Sequence, residues 1–384
     1  MEAKEILKKL IAFKTITPRE CGIYQWVEEF LGDFHWERMD CGEVKNLFGF
    51  KDFNSSSNEE KFHLCFAGHI DVVPADDGWE SDPFVPRESE GYLYGRGAQD
   101  MKGGIACFLS ALRQFAPKPC NLLVSILLTS DEEGEAIDGT NYVLQRLKER
   151  LFLPHFALVA EPTSSKKIAD CIKVGRRGSI NGQIKIKGIG GHVAYPQKCS
   201  NPIELLGDRL GKIAGVNLDC GDEFFEPSKI VVTDIRGGME VCNVTPSDLK
   251  MMFNVRNSTA SDEEKLRHYL QSVLEGLPYE LALKTSSKPF LTQSKHFVEI
   301  ARSVEDVVGY VPYQSTSGGT SDARYFASFG VEVLELGVLN DRIHAKNECV
   351  RIEDLQSLEK IFLNFLQIQE KIKLNEDKDE RSKN

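Results

Sequence analysis

Three short segments of this chain, 62–67, 122–128 and 156–160, are apolar almost without interruption, and 331–336 reads as a fourth buried strand. A strand with one wet face alternates polar and apolar residues, whereas a strand covered on both faces does not. Stretches with apolar residues at helical spacing lie among them: 5–13, 24–31, 104–115, 139–151 and 297–308. Covered strands separated by helices mean an α/β layer with a mostly parallel central sheet. At 384 residues the chain also exceeds what one core usually serves, so two domains are expected.

The pattern changes near Gly175-Arg176-Arg177-Gly178. From there the order is strand (179–187), helix (202–213), strand (229–235), strand (248–256), helix (262–274) and strand (279–284). That is the split βαβ order of a ferredoxin-like α+β domain. Its strands alternate, as in Gln183-Ile184-Lys185-Ile186-Lys187, which suits a sheet with one solvated face. The α/β pattern resumes after Lys288-Pro289, so the small domain is inserted in the large one. The expected organisation is a large domain over 1–177 and 289–374, an insert over 178–288, and a charged tail, 375–384, with no stable structure.

A formal net charge of −11 leaves no basic face to neutralise phosphates, which excludes nucleic acid as a partner. The N-terminus reads as an amphipathic helix and not as a signal peptide. No apolar run reaches membrane-spanning length. Ten cysteines are scattered with no C-x-x-C pair, and some, such as Cys65 and Cys107, sit inside apolar runs. A reduced, cytoplasmic setting is expected.

Residues that carry chemistry gather where the apolar segments stop. In Gly68-His69-Ile70-Asp71 the His and Asp leave a strand end on the same face. A metal-bound imidazole usually donates its second N–H to a carboxylate, and Asp71 suits that partner, although a plain surface turn also carries such a pair. Asp100 stands in Gly95-Arg96-Gly97-Ala98-Gln99-Asp100-Met101-Lys102-Gly103-Gly104. There it suits either a bridge between cations or a helix N-cap. Glu132 and Glu133 end the most apolar strand, where adjacent carboxylates repel unless a cation or a shared proton intervenes. One can bind metal while the other moves protons; Asp131 beside them reads as a solvated surface acid. Glu161 and His344 also follow apolar strands, the place where α/β sheets carry ligand sites. Imidazole and carboxylate without thiolate favour zinc or a similar divalent ion in a catalytic site. His192 lies in the glycine turn Gly190-Gly191-His192, which also fits an exposed loop histidine. Arg176, Arg177 and Arg256 suit bidentate clamping of carboxylates.

These motifs identify a resemblance to the zinc aminoacylase and peptidase family, running from near the N-terminus to about residue 370. It rests on the motifs containing His69, Asp100 and Glu132-Glu133. Also matching are Gly175-Arg176-Arg177-Gly178-Ser179, Gly191-His192-Val193-Ala194-Tyr195-Pro196, Lys288-Pro289-Phe290-Leu291-Thr292, Gly318-Gly319-Thr320-Ser321-Asp322 and Ile343-His344-Ala345-Lys346-Asn347-Glu348. Two positions depart, Ile70 where many relatives have Thr and Gly134 after the Glu pair; neither removes a ligand.

The resemblance implies a zinc-peptidase-like catalytic domain and an inserted lid that makes a homodimer. It implies two divalent ions, zinc or else cobalt, bridged by Asp100. His69 and Glu161 would complete one site, Glu133 and His344 the other, with Glu132 as general base and His192 helping to hold the oxyanion. The implied reaction is hydrolysis of N-succinyl-LL-2,6-diaminopimelate to succinate and LL-2,6-diaminopimelate. Arg176, Ser179, Tyr195, Asn243, Arg256, Gly319, Thr320 and Asn340 would contact that substrate. The same metal set also serves N-acetylornithine deacetylation or dipeptide cleavage, which only lid residues separate. An inactive dimeric binding protein would lack Asp100 or Glu132, and both are present.

Overall fold

The computed structural model describes residues 1–53 and 61–381, the side chains of 375–381 excepted. It divides into two compact units.

The first unit, Met1–Val174 with Thr292–Ser315 and Ser321–Asn384, is built on an eight-stranded sheet. Across the sheet the order is His35–Arg38, Asn46–Asp52, Leu122–Thr129, Phe62–His69, Phe156–Val159, Glu332–Glu335, Cys171–Lys173 and Tyr313–Ser315. The four central strands from Leu122–Thr129 to Glu332–Glu335 run parallel, as do the last two. Antiparallel pairs join the two N-terminal strands to this core. Every residue of Leu122–Thr129 is buried, so both faces of the sheet are covered. Helices Ala3–Ala12, Lys102–Gln114, His296–Val308 and Ile352–Arg381 form one packed group; Thr140–Glu149 and Ala323–Ser328 form another.

The sequence reading places no element at Asn46–Asp52, whose middle residue is Gly49. A Cβ there would meet the Trp36 ring at 2.2 Å, so glycine makes room for the neighbouring strand's indole. Nor does that reading place a helix at Ile352–Arg381, although Leu355, Leu358, Phe362 and Phe365 recur at helical spacing and are all buried. The tail expected to lack structure continues this helix to Arg381. Adding residues to an already nucleated, packed helix costs little. Residues 382–384 of that expectation lie outside the described residues.

The second unit is Gly175–Leu291 together with Thr316–Thr320. Its four-stranded antiparallel sheet has the order Lys229–Gly237, Asp248–Arg256, Ser179–Lys187, Tyr279–Ser287, which is the ferredoxin-like arrangement. Ile180, Ile184, Ile186, Met251, Phe253 and Val255 alternate onto one face. They form a core with Leu206 and Leu266 from helices Pro202–Leu210 and Glu263–Val273. The unit is wider than the 178–288 expected. Gly175–Arg176 pairs antiparallel with Phe290–Leu291 and extends it, and Arg176 Nη1 donates to the Ser317 and Gly319 carbonyls.

Candidate metal centre

His69 is the last residue of strand Phe62–His69, and Glu161 follows the parallel neighbour Phe156–Val159 by two residues. Their side chains therefore emerge together at the C-terminal edge of the sheet. Asp100 arrives on the glycine-rich turn before helix Lys102–Gln114. Gly97 in that turn has φ +84°, a region glycine adopts without strain. In the helix itself, a Cβ on Gly104 would stand 2.2 Å from the Ala160 carbonyl oxygen, so glycine lets the helix lie against the segment bearing Glu161. The helix N-cap is Met101, with no side-chain cap, so Asp100 is free of that duty.

The Asp100 carboxylate instead faces two imidazoles. Its Oδ1 is 3.2 Å from His69 Nε2 and its Oδ2 is 3.3 Å from His344 Nε2. His344 Nε2 is also 2.8 Å from Glu133 Oε1, and His69 Nε2 is 3.9 Å from Glu161 Oε1. Ligand-type atoms of His69, Asp100 and Glu133 all lie within 4.8 Å of one another. The five residues expected as ligands thus meet as two pairs that share Asp100. His344 does not end a strand, as expected, but sits in the loop between Glu332–Glu335 and Cys349–Arg351 with φ +59°.

Four carboxylates, those of Asp100, Glu132, Glu133 and Glu161, accompany these two imidazoles. Burial pushes the Glu161 carboxyl well above the ordinary range, and Asp100 adds to the rise. Burial likewise raises Glu132, against the pull of His69. Burial opposes ionisation of Asp100 too, but its hydrogen bonds with His344 and His69 hold it below the usual carboxylate range. His344 is raised to about 10 by its bonds to Asp100 and Glu133. Burial alone would depress His69, yet Asp100 and Glu161 outweigh it and raise it well above its ordinary value. Such a cluster holds protons for want of positive charge. Its imidazole and carboxylate donors fit divalent cations of the zinc type.

The supporting contacts differ in part from expectation. His69 Nδ1 lies 2.9 Å from the main-chain oxygen of Asp71, while the nearest Asp71 carboxylate oxygen is 3.7 Å away. The Asp71 carboxylate accepts instead from the backbone N–H groups of Glu132 (3.4 Å) and Glu133 (3.1 Å), fixing the turn that presents both. Asp131, expected on the surface, is buried and accepts from the N–H groups of Ile137 and Asp138. An isolated reading of an acidic run cannot reveal such an internal cap.

Sequence reasoning gave no role to Glu348 beyond its place in a motif. Its buried carboxylate accepts from Arg96 Nη1 (3.0 Å) and from the N–H groups of Gly97 (2.9 Å), Gln99 (2.8 Å) and Asp100 (3.1 Å). Arg96 also donates to the His344 and Ala345 carbonyls, so one ion pair ties the Asp100 turn to the His344 loop. Lys102, fully buried, donates to the carbonyls of Leu10 and Phe13, and burial lowers its amine to about 7.

The expected substrate contacts lie mostly in the second unit. His192 and Tyr195 are exposed neighbours with ring centroids 6.1 Å apart, and Ala194 N–H donates to His192 Nδ1. Asn243 and Arg256 are also exposed, the latter ending strand Asp248–Arg256. Ser179 is buried and its hydroxyl accepts from Asn254. Gly319 and Thr320 belong to the short segment that joins this unit, and Gly319 is held by Arg176. Asn340, in the first unit, is exposed, with its N–H bonded to the Ser164 carbonyl.

A largely parallel sheet with an imidazole–carboxylate cluster at its C-terminal edge, together with a ferredoxin-like insert, defines the architecture of a metallopeptidase-type hydrolase. The chain belongs to peptidase family M20/M25/M40, whose model matches residues 65–368. It is 55% identical over 364 residues to succinyl-diaminopimelate desuccinylase of Wolinella succinogenes, covering 94% of this chain and 98% of that one. The desuccinylase of Helicobacter pylori is 50% identical over 381 residues, covering 96% and 99%. Among solved structures, aminopeptidase PepT from Bacillus cereus superposes with a TM-score of 0.76 at 18% identity, over 96% of this chain and 98% of that one. An M20 metallo-carboxypeptidase from Sulfolobus solfataricus gives 0.74 at 17%, over 96% and 99%.

Proposed function

We propose that this chain hydrolyses the amide of N-succinyl-LL-2,6-diaminopimelate, releasing succinate and LL-2,6-diaminopimelate. The observation that carries this reading is its 50–55% identity, over nearly the whole chain, to proteins named for that activity.

His69 and Glu161 would hold one divalent ion and Glu133 and His344 the other, with Asp100 shared. The donors suit zinc, and cobalt equally takes such ligands. Bound there, the ions would polarise the amide carbonyl and acidify an attacking water. Glu132, whose raised proton affinity suits a proton carrier, takes the water's proton and passes it to the leaving amine. Atoms balance: water adds across the C–N bond, giving a carboxylate and an amine. Asp71 holds Glu132 and Glu133 through their backbone N–H groups. His192 would donate to the oxyanion of the tetrahedral intermediate. Arg176 and Arg256 would pair with substrate carboxylates, with Ser179, Tyr195, Asn243, Gly319, Thr320 and Asn340 supplying further polar contacts.

The second unit would form a homodimer through an edge strand, the usual way an open antiparallel edge is covered. Sedimentation showing a fully active monomer would end that proposal. Ten free cysteines support a reducing, cytoplasmic setting. None of the described helices is long and apolar enough to cross a membrane.

The test of substrate is a side-by-side assay of N-succinyl-diaminopimelate and N-acetylornithine with the metal-loaded protein. The acetyl compound lacks the carboxylate an arginine would pair with, so its kcat/KM is expected to be far lower. Comparable values for the two would make the protein a general deacylase.

A further inference from the structure

Thr15 lies outside the motifs that carry the ligands, yet it is wholly buried against the strand end that presents His69. Helix Ala3–Ala12 stops at Phe13, and the chain then runs beside His69-Ile70-Asp71-Val72, with Ile16 bridged in parallel to Val72. The Thr15 hydroxyl donates to the Ile70 carbonyl (2.5 Å), and the Thr15 carbonyl accepts from the Val72 N–H (2.9 Å). The Thr17 N–H donates to the Val72 carbonyl (3.3 Å). From the other side the Ile70 N–H donates to the Thr129 carbonyl (2.8 Å), so the turn is held between the N-terminal segment and the neighbouring strand. The same segment reaches the turn before Glu132 and Glu133. There the Thr17 hydroxyl donates to the Ser130 carbonyl (3.4 Å), and the Ser130 hydroxyl donates to the Pro18 carbonyl (2.8 Å).

The bonds to Thr15 act on peptide planes. A peptide unit is planar, and in the trans form its C=O and N–H point opposite ways. The Val72 N–H shares its plane with the Asp71 carbonyl, and that carbonyl oxygen lies 2.9 Å from His69 Nδ1. The Thr15 carbonyl therefore fixes the plane that orients the imidazole. The plane before it, Ile70 C=O with Asp71 N–H, is fixed by the Thr15 hydroxyl.

A carbonyl only accepts, so Nδ1 carries the proton of that bond. Nε2, 3.2 Å from Asp100 Oδ1, then keeps its lone pair for a cation whenever the imidazole is neutral. A metal-bound imidazole is usually steered by a carboxylate side chain. Here a main-chain oxygen takes that place, and its position depends on the path of the backbone, which Thr15 holds.

We infer that Thr15 is a positioning residue for the metal centre: by fixing two consecutive peptide planes it aims His69 Nε2 at the cation that Glu161 and Asp100 would share. The inference rests on the metal set proposed above. Its test is zinc binding to the full-length apoprotein, titrated by calorimetry against a competing chelator, with Tm measured beside it. T15V keeps the side-chain shape and removes the hydroxyl, T15S keeps the hydroxyl, and V304A removes buried packing from helix His296–Val308. Wild type is expected to bind zinc in two steps. In T15V one step is expected to weaken about 10–100-fold, as when other partners that orient a ligand are lost, while the other changes less than about threefold. T15S is expected to bind as wild type does. V304A is expected to lower Tm and leave both steps unchanged, which separates positioning from stability. If T15V does not fold, T15A, which removes the same hydroxyl, takes its place. Two unchanged steps in the folded variant would overturn the inference, as would equal weakening of both. A wild-type protein that binds no zinc would instead refute the metal set on which the inference rests.

Discussion

Replacing Glu348 by Gln tests how the metal centre is held. The Glu348 Oε1 accepts from the N–H groups of Gln99 and Asp100, and Oε2 accepts from Arg96 Nη1 and the Gly97 N–H. A glutamine keeps one acceptor oxygen and turns the other into a donor. Whichever way the amide sits, two of the four donors lose their acceptor and face an NH₂ group. Each buried donor left unpaired costs about 1–3 kcal/mol, and breaking a buried ion pair costs about 3–5 kcal/mol. A loss of about 3 kcal/mol is therefore expected, which lowers Tm by roughly 6–12 °C in a domain of this size. The same bonds set the backbone of Asp100, so the affinity for metal should fall about 10–100-fold, as when other supporting partners of ligands are removed. Thermal unfolding with and without metal, beside a calorimetric metal titration, reads both effects. A Glu348→Gln protein with unchanged Tm and unchanged metal affinity would refute the bracket between the two ligand loops.

If Glu132 is the proton carrier proposed above and not a ligand, Glu132→Gln should retain its metal content and lose about 10²–10⁴-fold in turnover; near-normal turnover at confirmed metal content would reassign the base. The raised His344 and His69 values predict that cations enter by displacing protons. Both imidazoles must be neutral to bind, so affinity falls as pH drops below their folded values. For His344, at about 10, apparent affinity should climb about tenfold per pH unit as pH rises toward that value, then level off. A flat profile between about pH 6 and 9 would contradict it. In Asp71→Asn, the turn carrying Glu132 and Glu133 loses a charged acceptor, so turnover should fall more than substrate affinity; an unchanged kcat would show that the turn holds itself.

Much of this architecture was legible in the sequence, because burial on both faces leaves a compositional mark. Leu122–Thr129 and Phe62–His69 announced themselves by nearly continuous apolar runs, and Ser179–Lys187 by strict alternation. Asn46–Asp52 did not, since its Gly49 serves a neighbouring Trp36 and breaks the pattern. The ligand-type residues at strand ends were visible because chemistry there needs particular side chains. What supports them was not. The bond from His69 Nδ1 goes to a main-chain oxygen, and Asp71 and Asp131 spend their carboxylates on backbone N–H groups. Partners of that kind are set by the path of the chain and leave no composition to read. Glu348 and Asp100 lie 248 residues apart in sequence, and only the fold makes them neighbours.

The central claim is that one carboxylate, that of Asp100, holds two cations together. Anomalous diffraction from crystals grown with zinc tests it most directly. The account predicts two peaks roughly 3.5–4 Å apart, one contacted by His69 and Glu161, the other by Glu133 and His344, with Asp100 between them. A single peak, or a second ion that leaves His344 uncoordinated, would contradict it.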